Sequence, residues 1–284
     1  MEPISALAKR IARQARAAAR RRLSPLPARG YDSTAVPAPL LDRLSDDDLA
    51  ALNHLLPWSC FTVDGRGRRF GDAAWTGKRE GPQLIPDPRI VLMHERFGLE
   101  GKHVLEIGCF EGVHTIALCQ RAGRVTAVDS RTENVVKTIV RTSLYGCHPD
   151  VFPVDVDSAT GIDTLAGIGA DFVHHVGVLY HLLDPVRHVL ALGRVAGSGV
   201  MLDTHVSAPA DATEVVAVDG EQFKYRRYRE QGRADVFSGM HDHAKWLTEA
   251  TLVDLLARAG FSDVDVVERR AERHGPRVLI LAQR

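Results

Sequence analysis

Cysteine is scarce in this chain. The 284 residues hold only Cys60, Cys109, Cys119 and Cys147, and no two of them form a C-x-x-C pair. That excludes a disulfide framework and points to reduced thiols in a cytoplasm. No apolar stretch reaches the length of a membrane span, and the arginine-rich N-terminus lacks the apolar segment of a secretory signal. No internal repeat is present. A dinucleotide fingerprint is missing too: after Gly108 the second and third glycine positions hold Phe110 and Val113, and no P-loop lysine opens the next helix. There is no net charge, but its distribution is uneven. Residues 1–30 carry eight basic residues against Glu2 alone, so the remainder is acidic by seven charges.

What is present is one informative run. Val104-Leu-Glu-Ile-Gly-Cys-Phe-Glu-Gly-Val-His-Thr-Ile-Ala-Leu118 reads as a buried strand, a glycine turn and a helix, and Val125-Thr-Ala-Val-Asp129 as a second strand with an acid at its tip. Glycines at 108 and 112 let backbone approach a ligand with no side chain between. Asp129 follows Gly108 by 21 residues, where a carboxylate can accept from both hydroxyls of a ribose.

The rest of the chain organises around this run. Residues 1–40 read as a basic arm and a Pro/Ala/Ser linker. Ile4, Leu7 and Ile11 would share one side of an arm helix; a solvated arm is the reading taken, over a membrane-surface or nucleic-acid arm or a transit peptide. Residues 41–88 read as a helical and irregular extension, with Ser45 capping a helix over Asp42–Leu56. From residue 89 strands (103–107, 125–129, 150–154, 171–176, 199–204, 262–268, 277–282) alternate with helices (89–97, 112–122, 131–144, 184–195, 248–259). That alternation predicts a doubly wound, mostly parallel α/β sheet covered on both faces, and a short turn near His274-Gly-Pro276 predicts an antiparallel last strand. An insert over about 207–245 reads as a lid on the acceptor side. Its Phe223-Lys-Tyr-Arg-Arg-Tyr-Arg229, Tyr225 included, suits an anionic or planar acceptor, or else a solvated strand edge or helix face.

The turn Glu106, Gly108, Gly112 with Asp129 resembles class I S-adenosylmethionine-dependent methyltransferases. Gly177-Val-Leu-Tyr-His181 followed by Asp184-Pro185 resembles the branch of tRNA wobble-uridine carboxymethyltransferases. The resemblance covers roughly residues 75–284 and implies a Rossmann-like seven-stranded sheet. It implies a cofactor site at the strand tips: Glu106, Gly108, Cys109, Phe110 and Gly112 after the first strand, Asp129, Ser130 and Asn134 after the second, Asp155 and Val156 after the third, and Gly177 after the fourth. Asp155 would read the adenine amine, although Asp157 is close and either could cap the next segment. By the same resemblance Lys78, Tyr180 and Arg277 would hold a carboxylate on a carboxymethyl donor.

A methyl donor with a sulfonium leaving group leaves the protein to align the acceptor and exclude water. A hydroxyl acceptor gains from a base, for which His181, His205 and Asp203 are candidates, and Asp203 is also read as an acceptor contact. Tyr180 is placed by its motif to face the sulfonium. His241-Asp-His243 is weak evidence of a metal, and none is expected. The expectation is thus an S-adenosylmethionine-dependent methyltransferase acting on a small molecule, most simply by O-methylation. The alternatives are tRNA methyl or carboxymethyl transfer, sulfonium chemistry turned to cyclisation or lysis of the cofactor, and a cofactor-binding subunit without turnover. Nucleic acid is not the favoured partner, and a homodimer is left open.

Overall fold

The computed structural model of the protein describes residues 38–71 and 81–284. The basic arm and Lys78 lie outside the described residues. Two compact units are present: one ends at Ile85 and includes Leu144–Gly146, the other comprises Pro86–Ser143 and Cys147–Arg284.

In the first unit α1 (Asp46–Leu55) starts where Ser45 accepts a hydrogen bond from the Asp48 amide, with three acids in the first turn to complement the exposed N–H groups. A small antiparallel pair, β1 (Thr62–Val63) and β2 (Arg69–Phe70), follows. Arg68 donates to Asp64, Asp46 and the Leu41 and Leu44 carbonyls, and the Trp58 ring meets Phe70 edge-on at 4.9 Å.

The second unit opens with α2 (Pro88–Phe97). Its sequence marks both ends: Asp87 caps the Arg89 amide, Pro88 occupies the first turn, and Gly98 closes the helix at φ 61°. A seven-stranded sheet follows, in the order β11-β12-β7-β6-β3-β4-β5. The strands are β3 (His103–Ile107), β4 (Arg124–Asp129), β5 (Asp150–Pro153), β6 (Ala170–Val176), β7 (Ala196–His205), β11 (Asp263–Glu272) and β12 (Gly275–Gln283). Only β12 runs antiparallel to both neighbours, as the short turn predicts. Helices α3 (Val113–Cys119), α4 (Thr132–Leu144), α5 (Ala159–Ile168), α6 (Pro185–Val195) and α7 (Glu249–Arg258) connect the strands. The central strands β3, β6 and β7 are buried almost throughout, as a sheet covered on both faces requires. After β3 the chain winds outward to β5, then returns to place β6 on the other side of β3. The crevice at that reversal, beyond the carboxyl ends of the strands, is where such sheets take ligands.

Two parts differ from the sequence reading. α5 was not expected, although Ser158 accepts the Gly161 amide at 2.9 Å as an N-cap ahead of Ile162 and Leu165. The insert is a three-stranded antiparallel sheet, β8 (Glu214–Val218), β9 (Glu221–Arg229) and β10 (His243–Leu247). Its first hairpin turns on Asp219-Gly220, both at positive φ, and that Asp-Gly pair was the missed signal.

Helices α6 and α7 touch backbone to backbone: a Cβ on Gly193 would lie 2.1 Å from the Ala259 carbonyl oxygen. Gly193→Ala should therefore destabilise the chain by roughly 1–3 kcal/mol in chemical denaturation. Gly167→Ala, on the exposed side of α5 with nothing within 4 Å, should instead stabilise it by roughly 0.4–1 kcal/mol. Equal effects would refute the close approach.

Candidate functional site

The turn from β3 into α3 has a backbone that its sequence selects. Gly108 and Gly112 stand at φ 81° and 79°, and Phe110, with a side chain, at φ 50°. A Cβ on Gly108 would reach 2.1 Å from Val178 Cγ2, and one on Gly112 would reach 3.0 Å from the Thr138 Cα, so neither position admits another residue at no cost. The turn is braced from α4. Thr138 donates to the Phe110 carbonyl and the Cys109 sulfur at 3.3 Å, and the buried Lys137 and Arg141 pair with Glu111 at 2.9 and 3.5 Å. Cys109 is buried, and burial pushes its thiol well up, so it stays protonated.

At the tip of β4, Asp129 accepts from the Phe110 amide (3.0 Å), the Arg131 amide (2.8 Å) and the Asn134 side chain (3.1 Å). Burial raises its carboxyl despite these bonds. Asn134 thus buttresses Asp129, and Ser130 donates to the Val154 carbonyl. Beyond β5, Asp155 is exposed and Val156 buried. Asp157 is committed elsewhere: its oxygens accept the amides of Leu183 and Asp184, fixing the loop after β6. Glu106 lies at the bottom of the crevice, bonded by Thr115 at 2.5 Å and beside His174 at 3.9 Å. Burial, with the nearby Asp129, pushes the Glu106 carboxyl up to about 7. His174 is buried with neither ring nitrogen hydrogen-bonded, and burial pushes it well down, so it is neutral. His175 is likewise buried within β6, its Nε2 2.8 Å from His188 Nε2.

Another group of sequence-predicted residues lies on the loop after β6, at the tip of β7 and on the insert. Tyr180 is half-buried beside Arg277, whose guanidinium carbon lies 5.3 Å from the ring centre; a Cβ on Gly177 would come 3.7 Å from the Tyr180 hydroxyl. His181 is partly exposed and bonded through Nδ1 to Glu230. His205 is buried, donates through Nδ1 to the Pro276 carbonyl, and stacks on Trp246 at 4.9 Å, with Tyr228 stacked on the same indole at 4.1 Å. Burial and the neighbouring Arg277 push His205 down. That makes it part of an aromatic pile. The loop between β9 and β10 closes over the cradle: Phe237 meets Phe110 at 5.7 Å, and Arg131 donates to the carbonyls of Gly232, Arg233, Asp235, Ser238 and Gly239.

Two expected acceptor contacts are placed otherwise. Tyr225 packs into the hydrophobic core and gives its hydroxyl to Glu214, because alternation along β9 turns positions 223 and 225 inward. Asp203 is fully buried and paired with Arg89 (3.1 Å), Arg270 (2.7 Å) and Arg277. Burial alone would raise its carboxyl, but the arginines hold it below the ordinary range, so it is a counter-ion and not a base. No motif marks Glu230, and only the folding of the insert brings it to His181 and stacks Tyr228 on Trp246. Among the described residues the metal-type grouping is Glu106, His114 and His174, with ligand atoms within 4.8 Å of one another, and not the His241–His243 pair.

The residues present fit an S-adenosyl group: a side-chain-free turn, an acid at the tip of the next strand, and an exposed acid beyond the third. Such a crevice defines a nucleoside-binding, doubly wound transferase. Residues 84–266 match the methyltransferase-domain family, and the chain belongs to that family of S-adenosylmethionine-dependent methyltransferases. A ubiquinone biosynthesis O-methyltransferase from Psychrobacter arcticus is 26% identical over 174 residues, 60% of this chain. The chain spans 63% of that relative's length. A tRNA U34 carboxymethyltransferase from Shewanella loihica is 26% identical over 244 residues, covering 82% of this chain and 66% of the relative. Among solved structures, the N-terminal domain of EvdMO1, crystallised in the presence of SAH and D-fucose, shares the fold with a TM-score of 0.69. It is 23% identical, over 84% of this chain and 97% of that one.

The raised Glu106 carboxyl has a measurable consequence. The folded chain holds this proton more tightly than the unfolded one, so the associated stability is complete below about pH 4.5 and lost as pH rises through about 7. Glu106→Gln should therefore gain stability relative to the wild type, by up to roughly 3 kcal/mol, between about pH 5 and about pH 8. Denaturation curves with a constant difference across that range would mean that Glu106 is already ionised in the fold.

Proposed function

We propose that this chain methylates a hydroxyl of a small molecule. S-adenosylmethionine, when bound, supplies a methyl group activated by its sulfonium. The glycine turn and Asp129 bind the nucleoside end, Asp155 and the Val156 amide take the adenine, and Tyr180 faces the transferring carbon. His181, at the rim of the crevice, takes the hydroxyl proton. The names of the O-methyltransferase relatives support an oxygen acceptor. In this site the basis of the reading is a part-exposed imidazole on the loop after β6, the loop that also carries Tyr180.

A methyl donor is favoured over a carboxymethyl donor by the charge around Asp203. Arg277, the residue that would grip an extra carboxylate, is already paired with Asp203 and Glu272. A further anion at Arg277 would have to sit beside these two carboxylates, and the like charges repel it.

The test is to incubate the full chain with S-adenosylmethionine and a panel of phenols, catechols and sugars, and to follow S-adenosylhomocysteine release and methylated product. Transfer to a hydroxyl is expected. Product formation only from carboxy-S-adenosylmethionine, or only on tRNA, would overturn the reading. Asp129→Ala should weaken S-adenosylhomocysteine binding by roughly 1.5–3 kcal/mol in calorimetry. Unchanged affinity would remove Asp129 from the site.

A further inference from the structure

We propose that Glu230 is a positioning residue that makes His181 a base, and that the β9–β10 loop delivers it. The inference rests on the O-methylation reading for what the base acts on, but its geometry stands alone. Glu230 directly follows β9 and is buried, its side chain only 3% exposed against 18% for His181. One carboxylate oxygen lies 2.5 Å from His181 Nδ1. The other accepts the Gly239 amide, also at 2.5 Å. A carboxylate can only accept, so Nδ1 carries the proton and Nε2 keeps its lone pair. Among the described residues Nε2 has no protein partner. With 18% of the side chain exposed, the ring is a proton acceptor of fixed orientation, and the imidazolium that forms is stabilised by the carboxylate bonded to Nδ1.

The loop is shaped for this contact. A Cβ on Gly239 would stand 2.7 Å from the His181 carbonyl, 2.9 Å from its Cβ and 3.0 Å from Glu230 Oε2, so the segment passes too close for a side chain. The same segment gives its carbonyls to Arg131, two residues beyond Asp129, and places Phe237 on Phe110. His181 is held from its own side as well, through its amide on the Val178 carbonyl and through Asp157 on the amides of Leu183 and Asp184 further along the loop. The nucleoside cradle and the base are therefore closed by one loop. In the step, the acceptor O–H bond breaks and its proton goes to Nε2. The new O–C bond forms as the C–S bond breaks, leaving its electron pair on sulfur, so the donor leaves as a neutral thioether.

Glu230→Gln is the discriminating variant because it keeps the shape. Gly239 donates to one position of the side chain, so the glutamine oxygen settles there and the NH₂ group faces His181. Nδ1 must then accept, and the ring proton moves to Nε2, where it blocks the base. The measurement is long-range ¹H–¹⁵N NMR on histidine-labelled full chain bound to S-adenosylhomocysteine, with His181 assigned by its loss in His181→Asn. The Nδ1–H tautomer is expected in the wild type and Nε2–H in Glu230→Gln. With catechol and S-adenosylmethionine, kcat should fall on the order of 100-fold in each single variant and no further in the double variant, with S-adenosylhomocysteine affinity within about twofold. An Nε2–H tautomer in the wild type, or wild-type kcat in Glu230→Gln, overturns the proposal. Expected tautomers in a wild type that methylates no hydroxyl would support the pairing and overturn the O-methylation reading instead.

Discussion

A single buried carboxylate holds the acceptor side of this molecule together. Asp203 sits at the tip of β7 with no exposed surface, and a charge there is tolerated only if it is paired. Arg89 from α2, Arg270 from β11 and Arg277 from β12 supply the pairing. Asp87, Glu268 and Glu272 surround those arginines in turn, so the cluster carries nearly balanced charge. It ties a helix that precedes the sheet to the two strands that end it. The position of Tyr180 against Arg277, and of His205 against Pro276, depends on that tie.

The cofactor side is fixed by a different device. The turn after β3 has three alternate positions, 108, 110 and 112, at positive φ and is braced by buried charges on α4. Its rigidity comes from below the ligand rather than from the ligand itself, which is how a site can be preorganised. Arg131 then extends this rigid part to the loop between β9 and β10 by a set of charge-assisted bonds to backbone carbonyls. The two halves of the crevice are joined by that loop. A methyl acceptor must meet the donor in line and away from water, and a loop that reaches both halves is suited to that task.

Much of this is legible in the sequence. Glycines at 108 and 112, the acid at 129 and the strand–helix alternation from residue 89 encode a local backbone and a sheet class. Asp87-Pro88 and Gly98 mark a helix by themselves. The insert was read less well, because its strands are short and its one strong signal, Asp219-Gly220, was passed over in favour of the basic and aromatic composition of 223–229. Composition could not say that Tyr225 faces inward while Tyr228 stacks on Trp246. Pairing with β8 and β10 sets that alternation.

The sequence by itself determined the sheet, the nucleoside turn and the class of donor. Those depend on residues within a few positions of each other, on backbone conformations open mainly to glycine, and on a periodicity that any stretch of chain displays. Only the tertiary structure decided the charges and partners on the acceptor side. Asp203 became a counter-ion through arginines 67, 74 and 114 positions away in the chain, and His181 gained a carboxylate 49 positions away. A side chain's protonation and reach are set by what folding packs against it, and that is information no local pattern of residues contains.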